Sequence, residues 1–513
     1  MKQPVLIPAL CLAAFSFQTA NGQKATQNKS LTPNIIYILA DDLGYGDLGC
    51  YGQKLIETPH IDRLASTGIR FTQHYSGAPV CAPSRCSLLT GKHTGHSYIR
   101  GNDEWAERGK VWDYRAMLAD STLEGQRPIP ENEVTFPELL KTAGYTNGII
   151  GKWGLGAPQT NSTPLHKGFD FFYGYNCQRQ AHTYYPIHLY KNDRRVYLKN
   201  DTVPPDTGLD KGADPFDLKS YSKFTLKEYA CDPMFKELTE FVKQNSNHPF
   251  FMYWATTIPH VPVQAPQRWV DYYVKKFGDE KPYLGDKGYF PHRYPHAAYA
   301  AMISYLDEQV GLLVKQLTDL GLYDNTLIIF TSDNGPAYSG GADSPWFKSA
   351  GPFKNEFGWG KGFTHEGGIR VPMIASWPGK IRKGAVSNHI SAFWDVLPTL
   401  CEITGVKIPE QTDGISFLPE LQGKKQKAHP FLYWEFPETD GQQAIRLGKW
   451  KGIRRDIKKG NLHIQLFNLG SDLQELTDVS AQYPEIVKQM EEIMVREHVP
   501  ATQGIFKMKA LGD

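Results

Sequence analysis

Short apolar segments alternate along this chain with segments of helical periodicity, and this alternation limits the possible folds more than any other feature. The apolar runs are bounded by turn residues, as is typical of buried strands. They occupy residues 35–40, 69–75, 146–150, 250–255, 327–331 and 373–377. Helical patterns lie between them, at residues 58–67, 135–143 and 296–320. The alternation predicts an α/β fold in which helices flank a large, mostly parallel central sheet.

A change in composition near residue 409 predicts a second, smaller unit. Gln, Lys and Gly are frequent at 409–427, and strand-like runs follow at 431–436, 444–453 and 464–467, before a helical pattern at 484–496. We therefore predict a main domain at 31–407 and a C-terminal α+β subdomain at 428–505, with a short antiparallel sheet and a helix. The charged, weakly periodic segment 103–133 is predicted to be a long functional loop.

The composition favours a globular enzyme over a nucleic-acid-binding or membrane protein. Of the 513 residues, 41% are hydrophobic and 21% charged, which suffices for a large core. Lys and Arg total 56 against 54 for Asp and Glu, and no basic block is present, so nucleic acid is not expected as a partner. No apolar segment beyond the N-terminus is long enough to serve as a transmembrane anchor.

The first 22 residues have the pattern of a signal peptide. Lys2 precedes an apolar stretch at 5–17, and the small residues of Ala20-Asn21-Gly22 suit a cleavage site. We predict cleavage and export, to the periplasm or as a secreted protein, and the early position of Cys11 argues against a lipid anchor. The remaining cysteines have no CxxC spacing, so a zinc ribbon is not expected, and their disulfide pairing stays open.

Polar residues follow several predicted strands at the point where each strand ends. They are Asp41, Asp42, Lys152, His260, Asp333 and Asn334. Because ligands bind beyond the carboxyl ends of parallel strands, these side chains are expected to converge on one edge of the sheet. Neighbouring carboxylates repel one another unless a cation holds them, and an Asp and Asn oxygen set suits calcium first and magnesium second.

The segment Cys81-Ala82-Pro83-Ser84-Arg85-Cys86-Ser87-Leu88-Leu89-Thr90-Gly91 carries the most specific pattern. Pro83 and Ser84 suit a helix N-terminus, whose backbone N–H groups favour an anion near Cys81. Taken alone, Cys81 is more typical of a structural cysteine, either a buried small residue or a partner of Cys86 in a disulfide, than of a functional one. Cys-x-Pro-Ser-Arg followed by Leu-Thr-Gly resembles the signature of the type I sulfatases, in the alkaline-phosphatase-like superfamily, whose cysteine is oxidised to formylglycine.

The resemblance extends over nearly the whole chain after residue 31. Further matching segments are Pro33–Ile36 with Asp41–Gly44, Thr58–Ala65, Gly151–Trp153, Thr331–Gly335, and Gly360–Gly362 with Glu366–Pro372. By position, it implies one calcium ion held by Asp41, Asp42, Asp333, Asn334 and the modified Cys81. It also implies that Arg85 lies beside the formylglycine, that Lys152 and Lys361 contact the sulfate oxygens, and that His260 lies near the leaving-group oxygen.

One position departs from the family pattern. The family commonly has histidine two residues after the lysine, where this chain has Gly154. In the family that histidine is a candidate base for the release step. Its role is here either unnecessary or supplied by another residue, and the candidates are His93, His96, His182 and His365.

The resemblance implies a sulfatase, that is, a sulfuric ester hydrolase matured by a formylglycine-generating enzyme. For an exported enzyme we expect a sulfated glycan or small sulfate ester as substrate, and a galactose-type sugar is one candidate. We expect the O-sulfate to lie at a chain end, because loop 103–133 can wall off one side of the site. Candidate substrate-binding residues in loops at the same edge are His93, Arg100, Asn102, Arg179, His182 and Tyr185, and Trp105 and Trp112 can stack on a sugar.

Two other functions stay open at this level. A phosphatase or phosphodiesterase of the same superfamily would use Ser or Thr and two zinc ions with His ligands, whereas the Asp and Asn set here provides one oxygen-rich site. A glycan-binding homologue without catalysis is supported by Gly154 alone, and the presence of Cys81, Lys152, His260 and Lys361 opposes it.

Overall fold

The computed structural model describes residues 32–513, together with Met1 and Pro4. Apart from those two residues, the predicted signal peptide at 1–22 lies outside the described residues. Residues 32–513 form one contiguous unit. None of the helices in this part of the chain combines the length and the hydrophobicity that a membrane span requires.

Eleven strands within residues 32–513 form a large sheet with a parallel centre. They are β1 (Asn34–Ala40), β2 (Ile69–Tyr75), β3 (Thr146–Lys152), β4 (Phe171–Tyr175), β5 (His188–Lys191), β6 (Arg194–Tyr197), β7 (Phe250–Ala255), β8 (Thr326–Ser332), β9 (Arg370–Ser376), β10 (Ala385–Ser387) and β11 (Ser391–Ala392). The order is β10-β2-β9-β8-β1-β7-β3-β4-β5-β6, with β11 beside β2. Pairing is parallel from β8 through β1, β7 and β3 to β4, whereas β9, β5 and β6 pair antiparallel with their neighbours. The predicted α/β class is confirmed.

Helices cover both faces of this sheet, and for that reason its central strands are apolar without alternation. Along β1, Ile36 and Ile38 belong to one hydrophobic cluster, while Ile35, Tyr37 and Leu39 belong to another. The helices are α1 (Pro59–Thr67), α2 (Cys81–Thr90), α3 (Tyr114–Ala119), α4 (Phe136–Thr142), α5 (Cys231–Gln244), α6 (Gln267–Phe277), α7 (Pro295–Asp319), α8 (Ser344–Phe347), α9 (Glu366–Ile369), α10 (Val396–Thr404), α11 (Leu418–Leu421) and α12 (Pro484–Glu497).

A separate antiparallel sheet of four strands lies toward the C-terminus. Its strands are β12 (Leu432–Phe436), β13 (Gln442–Leu447), β14 (Trp450–Arg455) and β15 (Gln465–Asn468), and α12 packs on it through Met490 and Met494. The single strand predicted at 444–453 is wrong, because Leu447 pairs with Trp450 across a tight turn that Gly448 enters at φ +56°. The division into domains at 31–407 and 428–505 stays a prediction.

The segment 103–133 contains a helix, α3, which its weak periodicity did not predict. The segment is fastened to the sheet by the buried carboxylate of Glu124. Its Oε1 accepts from Gln180 Nε2 at 2.6 Å and lies 2.7 Å from His188 Nε2 on β5, and it also pairs with Arg195 on β6 at 3.1 Å. Because these partners are themselves buried or on strands, the loop has a fixed position over the sheet.

Candidate active site

The register of the parallel strands brings the predicted carboxylates together. Ala40 of β1 pairs with Ser332 of β8, so Asp41 and Asp333 leave the sheet side by side. The Asp333 N–H donates to Ala40 O at 3.0 Å, and the Asp42 N–H donates to Asp333 Oδ1 at 3.1 Å. All three carboxylates are buried, so each one needs a compensating charge.

Helix α2 presents Cys81 to these carboxylates from its first turn. Every residue of α2 is buried, and Gly91 ends the helix in the left-handed region at φ +69°. Cys81 Sγ lies 3.5 Å from Asp41 Oδ1. Burial and the neighbouring Asp41 carboxylate raise the pKa of the Cys81 thiol to about 12. An unmodified Cys81 is therefore a neutral thiol at physiological pH and a poor nucleophile.

Each carboxylate of the cluster is paired with a cation. The pairs are Lys152 Nζ with Asp41 Oδ2 at 2.7 Å, Lys361 Nζ with Asp42 Oδ2 at 2.7 Å, and Arg85 Nη2 with Asp333 Oδ2 at 2.8 Å. Arg85 also donates through Nε to Asp333 at 3.0 Å, and so holds that carboxylate with two donors. Cations thus converge on the same point as the carboxylates, as binding of a sulfate group would require.

The carboxylates have unequal proton affinities. Burial raises the pKa of Asp41, but the surrounding cations, Lys152 foremost, outweigh it and hold that pKa well below its usual range. Burial and the adjacent Asp41 charge raise the pKa of Asp333 to about 6 despite its contact with Arg85. Three cations thus face three carboxylates, and burial together with the Asp41 charge still disfavours the ionised form of Asp333.

Asn334 places an oxygen atom in the cluster that is available as a metal ligand. Its Nδ2 donates to Asp42 Oδ1 at 2.7 Å, while its Oδ1 is buried and has no hydrogen-bond partner among the described residues. A buried carbonyl oxygen without a donor is costly unless it ligates something. Ligand atoms of Asp41, Asp42, Cys81 and His260 lie within 4.8 Å of one another. Carboxylate and amide oxygens form a donor set that suits a hard cation such as calcium.

His260 lies at the open side of the cluster. Its Nδ1 lies 2.6 Å from Val261 O and donates to it, which leaves Nε2, 3.6 Å from Asp42 Oδ2, as the free nitrogen. Burial and the Lys361 charge lower the pKa of His260. Its ring stacks on that of His182 at a centroid distance of 5.5 Å. An anion bound beside Nε2 would oppose this lowering and favour the imidazolium form of His260.

The backbone conformation and the surroundings of position 154 favour glycine. Gly154 has a φ of +73°, and a Cβ there would lie 2.7 Å from Cγ of Gln178. Gln178 therefore occupies the space that a side chain at 154 would need. Of the histidines considered as substitutes, His182 alone contacts a residue of the cluster, through its stacking on His260.

Two of the predicted substrate-binding residues lie next to the cluster, and a third shares a cavity with one of them. Asn102 Oδ1 accepts from the N–H of Ala82 at 3.2 Å, beside Cys81. His182 stacks on His260, and Arg179 lies with it on the wall of one cavity.

The other predicted substrate-binding residues and base candidates are engaged in other contacts. His93 and His96 contact Asp413 and Glu497, Arg100 pairs with Glu435 at 2.9 Å, Tyr185 packs on Tyr229, and His365 packs on Trp359 and Phe467. These contacts tie chain segments together, and we do not include these side chains in the site.

Tyr289 belongs to the site although no sequence pattern identified it. Its ring contacts His182 at 5.1 Å and His260 at 5.9 Å, and it lines a cavity of about 210 Å³ together with Asp42 and Lys361. Its φ of +66° lies in the left-handed region, where a bulky residue is uncommon. Because this backbone conformation is set by the packing of the loop, no local pattern could have identified it.

Comparison with known families agrees with the geometry. The family model described as Sulfatase matches residues 33–406, which is well over half of the chain. The chain belongs to the sulfatase family. A second model, N-sulphoglucosamine sulphohydrolase, C-terminal, matches residues 355–499 of this sulfatase. The predicted family and the predicted enzyme class, a sulfuric ester hydrolase, are thereby confirmed.

Named relatives and a solved structure extend the likeness over most of the sulfatase. The human N-acetylgalactosamine-6-sulfatase is 32% identical, with 91% of this chain and 86% of the relative covered. Human arylsulfatase A is 33% identical over 82% of this chain and 74% of its own length. The crystal structure of Ps i-CgsB in complex with k-i-k-neocarrahexaose is 28% identical, with a TM-score of 0.70 and coverage of 91% of this chain and 94% of that one.

We expect the Asp333→Ala variant to lose its metal. Removal of this carboxylate should lower the divalent metal content to well below one ion per chain, as measured by mass spectrometry of the purified protein. In the unaltered protein, calcium at a hundredfold excess over Kd should stabilise the fold by about 2.7 kcal/mol, and the variant should lose this gain.

Asp47→Asn provides the matched control for the metal measurement. Asp47 is also buried, but it accepts from Gly44 N and Tyr299 Oη rather than from the cluster. This variant should keep its metal. Unchanged metal content in Asp333→Ala would contradict the assignment of the metal site.

Proposed function

We propose that this sulfatase hydrolyses an O-sulfate monoester on a carbohydrate, using formylglycine formed from Cys81 and one calcium ion. The observation that carries the proposal is the cluster itself, in which Cys81 lies against three buried carboxylates, their paired cations and the unpartnered oxygen of Asn334. Sulfatases generally use both formylglycine and calcium. The name of the human N-acetylgalactosamine-6-sulfatase and the oligosaccharide bound to Ps i-CgsB support a sugar ester, and a galactose-type sugar is our first choice.

Calcium would be held by Asp41, Asp42, Asp333 and Asn334 together with residue 81, with magnesium as the second choice. When bound, it would neutralise charge on the sulfate oxygens and favour the deprotonated form of the nucleophile. The all-oxygen donor set and the single histidine in the described cluster support this over a pair of zinc ions.

Residue 81 supplies the nucleophile in this proposal. Burial and the Asp41 carboxylate raise the pKa of the Cys81 thiol and make it a poor nucleophile for sulfur, whereas a hydrated aldehyde offers a hydroxyl at the same position. Only 3% of Cys81 is exposed, so a maturation enzyme has to act before this site closes. Export of the protein, to the periplasm or the medium, is part of the same proposal, because it brings the enzyme to extracellular sulfated glycans.

The basic residues of the cluster have separate roles in this proposal. Lys152 and Lys361 each place an ammonium group beside a carboxylate of the cluster, where they can bind the sulfate oxygens. Arg85 is held by two bonds to Asp333 and a third from Nη1 to Lys152 O at 3.1 Å, so it acts from a fixed position. His260 protonates the departing oxygen.

The role of His260 is testable by changing the leaving group. The His260→Ala variant should lose about 10²-fold or more in kcat/KM on a sugar sulfate, whose alcohol needs a proton to depart. On 4-nitrophenyl sulfate the loss should be below tenfold, because nitrophenolate leaves without protonation. Steady-state kinetics on both esters measures the difference.

Lys361→Ala is the control for this comparison. Lys361 contacts the group that all substrates share, so its loss should lower kcat/KM to a similar degree on both esters. Equal losses on both esters in His260→Ala would reject His260 as the acid.

Peptide mass spectrometry tests the proposal as a whole. A sample that releases sulfate from a sugar ester should contain an aldehyde in place of the thiol at residue 81. An active sample in which residue 81 is quantitatively an unmodified cysteine would contradict the formylglycine mechanism.

We also propose that the enzyme acts at chain ends. The segment 103–133, held in place by Glu124, contributes residues 112–115 and Met117 to the cavity that His182 borders, and so limits the space beside the site. Incubation with a sulfated polysaccharide and with short oligosaccharides from it should release sulfate mainly from the latter. Release from the polymer in proportion to its internal residues would contradict action at chain ends.

A further inference from the structure

A cavity of about 460 Å³ is lined by His182, whose ring lies against that of His260. His182 forms part of its wall and stacks on His260 from the other side, with the two rings 6° from parallel. This volume lies within the range of about 300–1,000 Å³ that is usual for small-molecule sites. The cavity therefore offers space, on the side of His182, for a group attached to the oxygen that His260 protonates.

The lining of the cavity combines apolar faces with hydrogen-bonding groups. Its residues are Trp112, Asp113, Tyr114, Arg115, Met117, Arg179, His182, Pro204, Pro205 and Asp206. Trp112 is 71% exposed although it is large and apolar, and the guanidinium carbon of Arg179 lies 5.7 Å from its ring centroid. An indole face beside polar groups matches a sugar ring, which has an apolar C–H face and a polar edge.

The charges of the lining leave no surplus of cations for a second anionic group. Arg115 and Arg179 are matched in number by Asp113 and Asp206. Arg179 is further neutralised by an ion pair with Glu104 and donates through Nη2 to Leu123 O at 2.9 Å. Arg179 is therefore not available as the unpaired cation that a second sulfate group would need.

The walls of the cavity are fixed before any ligand binds. Arg179 Nη2 holds Leu123, next to Glu124, whose carboxylate is tied to His188 and Arg195. This anchoring fixes the loop that carries Trp112. A preformed wall lowers the entropy that binding has to offset.

We propose that this cavity is the sugar subsite of the enzyme, in which the exposed Trp112 ring stacks on a neutral pyranose of the substrate. The inference rests on the proposed function, since it takes the ester oxygen to lie at His260. It adds the cavity that holds the sugar, and it selects Trp112 from the two tryptophans that the sequence offers for stacking.

Kinetics with two probes of different size test the subsite. A panel of galactose monosulfates and short sulfated galactan oligosaccharides serves as substrate, and inorganic sulfate serves as an inhibitor that fills the sulfate site alone. Trp112→Ala should raise KM by about tenfold or more for the sugar ester that the unaltered enzyme hydrolyses. The inhibition constant of inorganic sulfate should change less than twofold. Trp112→Phe, which keeps an aromatic face, should recover most of the affinity.

Trp346→Ala is the matched control, because Trp346 is also a partly exposed indole, at 40%, but lies on α8 and stacks on His296. It should leave KM unchanged. An unchanged KM in Trp112→Ala, or an equal weakening of inorganic sulfate, would overturn the subsite. Hydrolysis of 4-nitrophenyl sulfate without hydrolysis of any sugar ester would also overturn the subsite, although the protein would still be a sulfatase. Activity of a sample without formylglycine would instead contradict the proposed mechanism.

Discussion

Replacement of Cys81 by alanine is expected to lower sulfate release by about 10⁴-fold or more, with little change in stability. The alanine keeps the helical backbone of α2 but removes the atom from which the nucleophile is made. Loss of one buried sulfur should cost about 1 kcal/mol, so the protein should remain folded. Activity on a sugar sulfate and thermal unfolding of the same sample measure both quantities.

Cys86→Ala is the control for this variant, because Cys86 is buried in the same helix and belongs to the hydrophobic cluster beneath the sheet. It should keep its activity with a similar small loss of stability. Cys81→Ser should be inactive when it is produced with a maturation enzyme that acts on cysteine alone. Comparable activity of Cys81→Ala and the unaltered protein would exclude residue 81 as the source of the nucleophile.

Replacement of Lys451 by methionine is expected to destabilise the fold by about 3–5 kcal/mol. Lys451 lies on β14 and is fully buried, with its Nζ 2.8 Å from Glu366 Oε1 and 3.5 Å from Glu475 Oε1. Glu366 belongs to α9, beside β9 of the large sheet. Methionine fills a similar volume but leaves buried carboxylate charge without this partner. Urea denaturation followed by circular dichroism measures the loss.

Lys459→Met provides the comparison for the buried ion pair. Lys459 is 62% exposed, and its pairs with Asp440 and Asp456 lie in solvent, where ion pairs contribute little. This variant should unfold at the same urea concentration as the unaltered protein. If Lys451→Met also did so, the buried pair would not be a determinant of stability.

The main elements of the fold could be predicted because their signals are local. The helix predicted at 296–320 is α7 (Pro295–Asp319), and the strand predicted at 250–255 is β7. Short strands such as β4–β6 were missed, because they are brief and carry no clear alternation. The hairpin at β13 and β14 was taken for one strand, because its turn consists of only two residues.

Part of the site could also be anticipated from the sequence. Because parallel strands end at one edge of a sheet, the sequence predicts that Asp41, Asp42, Lys152 and Asp333 lie close together. The structure brings these residues together. Their chemical roles stay predictions until the variants above are measured.

The sequence by itself thus determined the sheet, the helix that carries Cys81 and the set of charged groups at the sheet edge, because each depends on periodicity or on position relative to a strand. The tertiary structure alone decided which loop residues join that set. Arg100 is expected from the sequence to bind substrate, yet it pairs with Glu435, more than three hundred residues away, while Tyr289, which no sequence pattern identifies, contacts His182. Contacts between loops so far apart depend on how whole segments pack, and no local pattern in the chain encodes them.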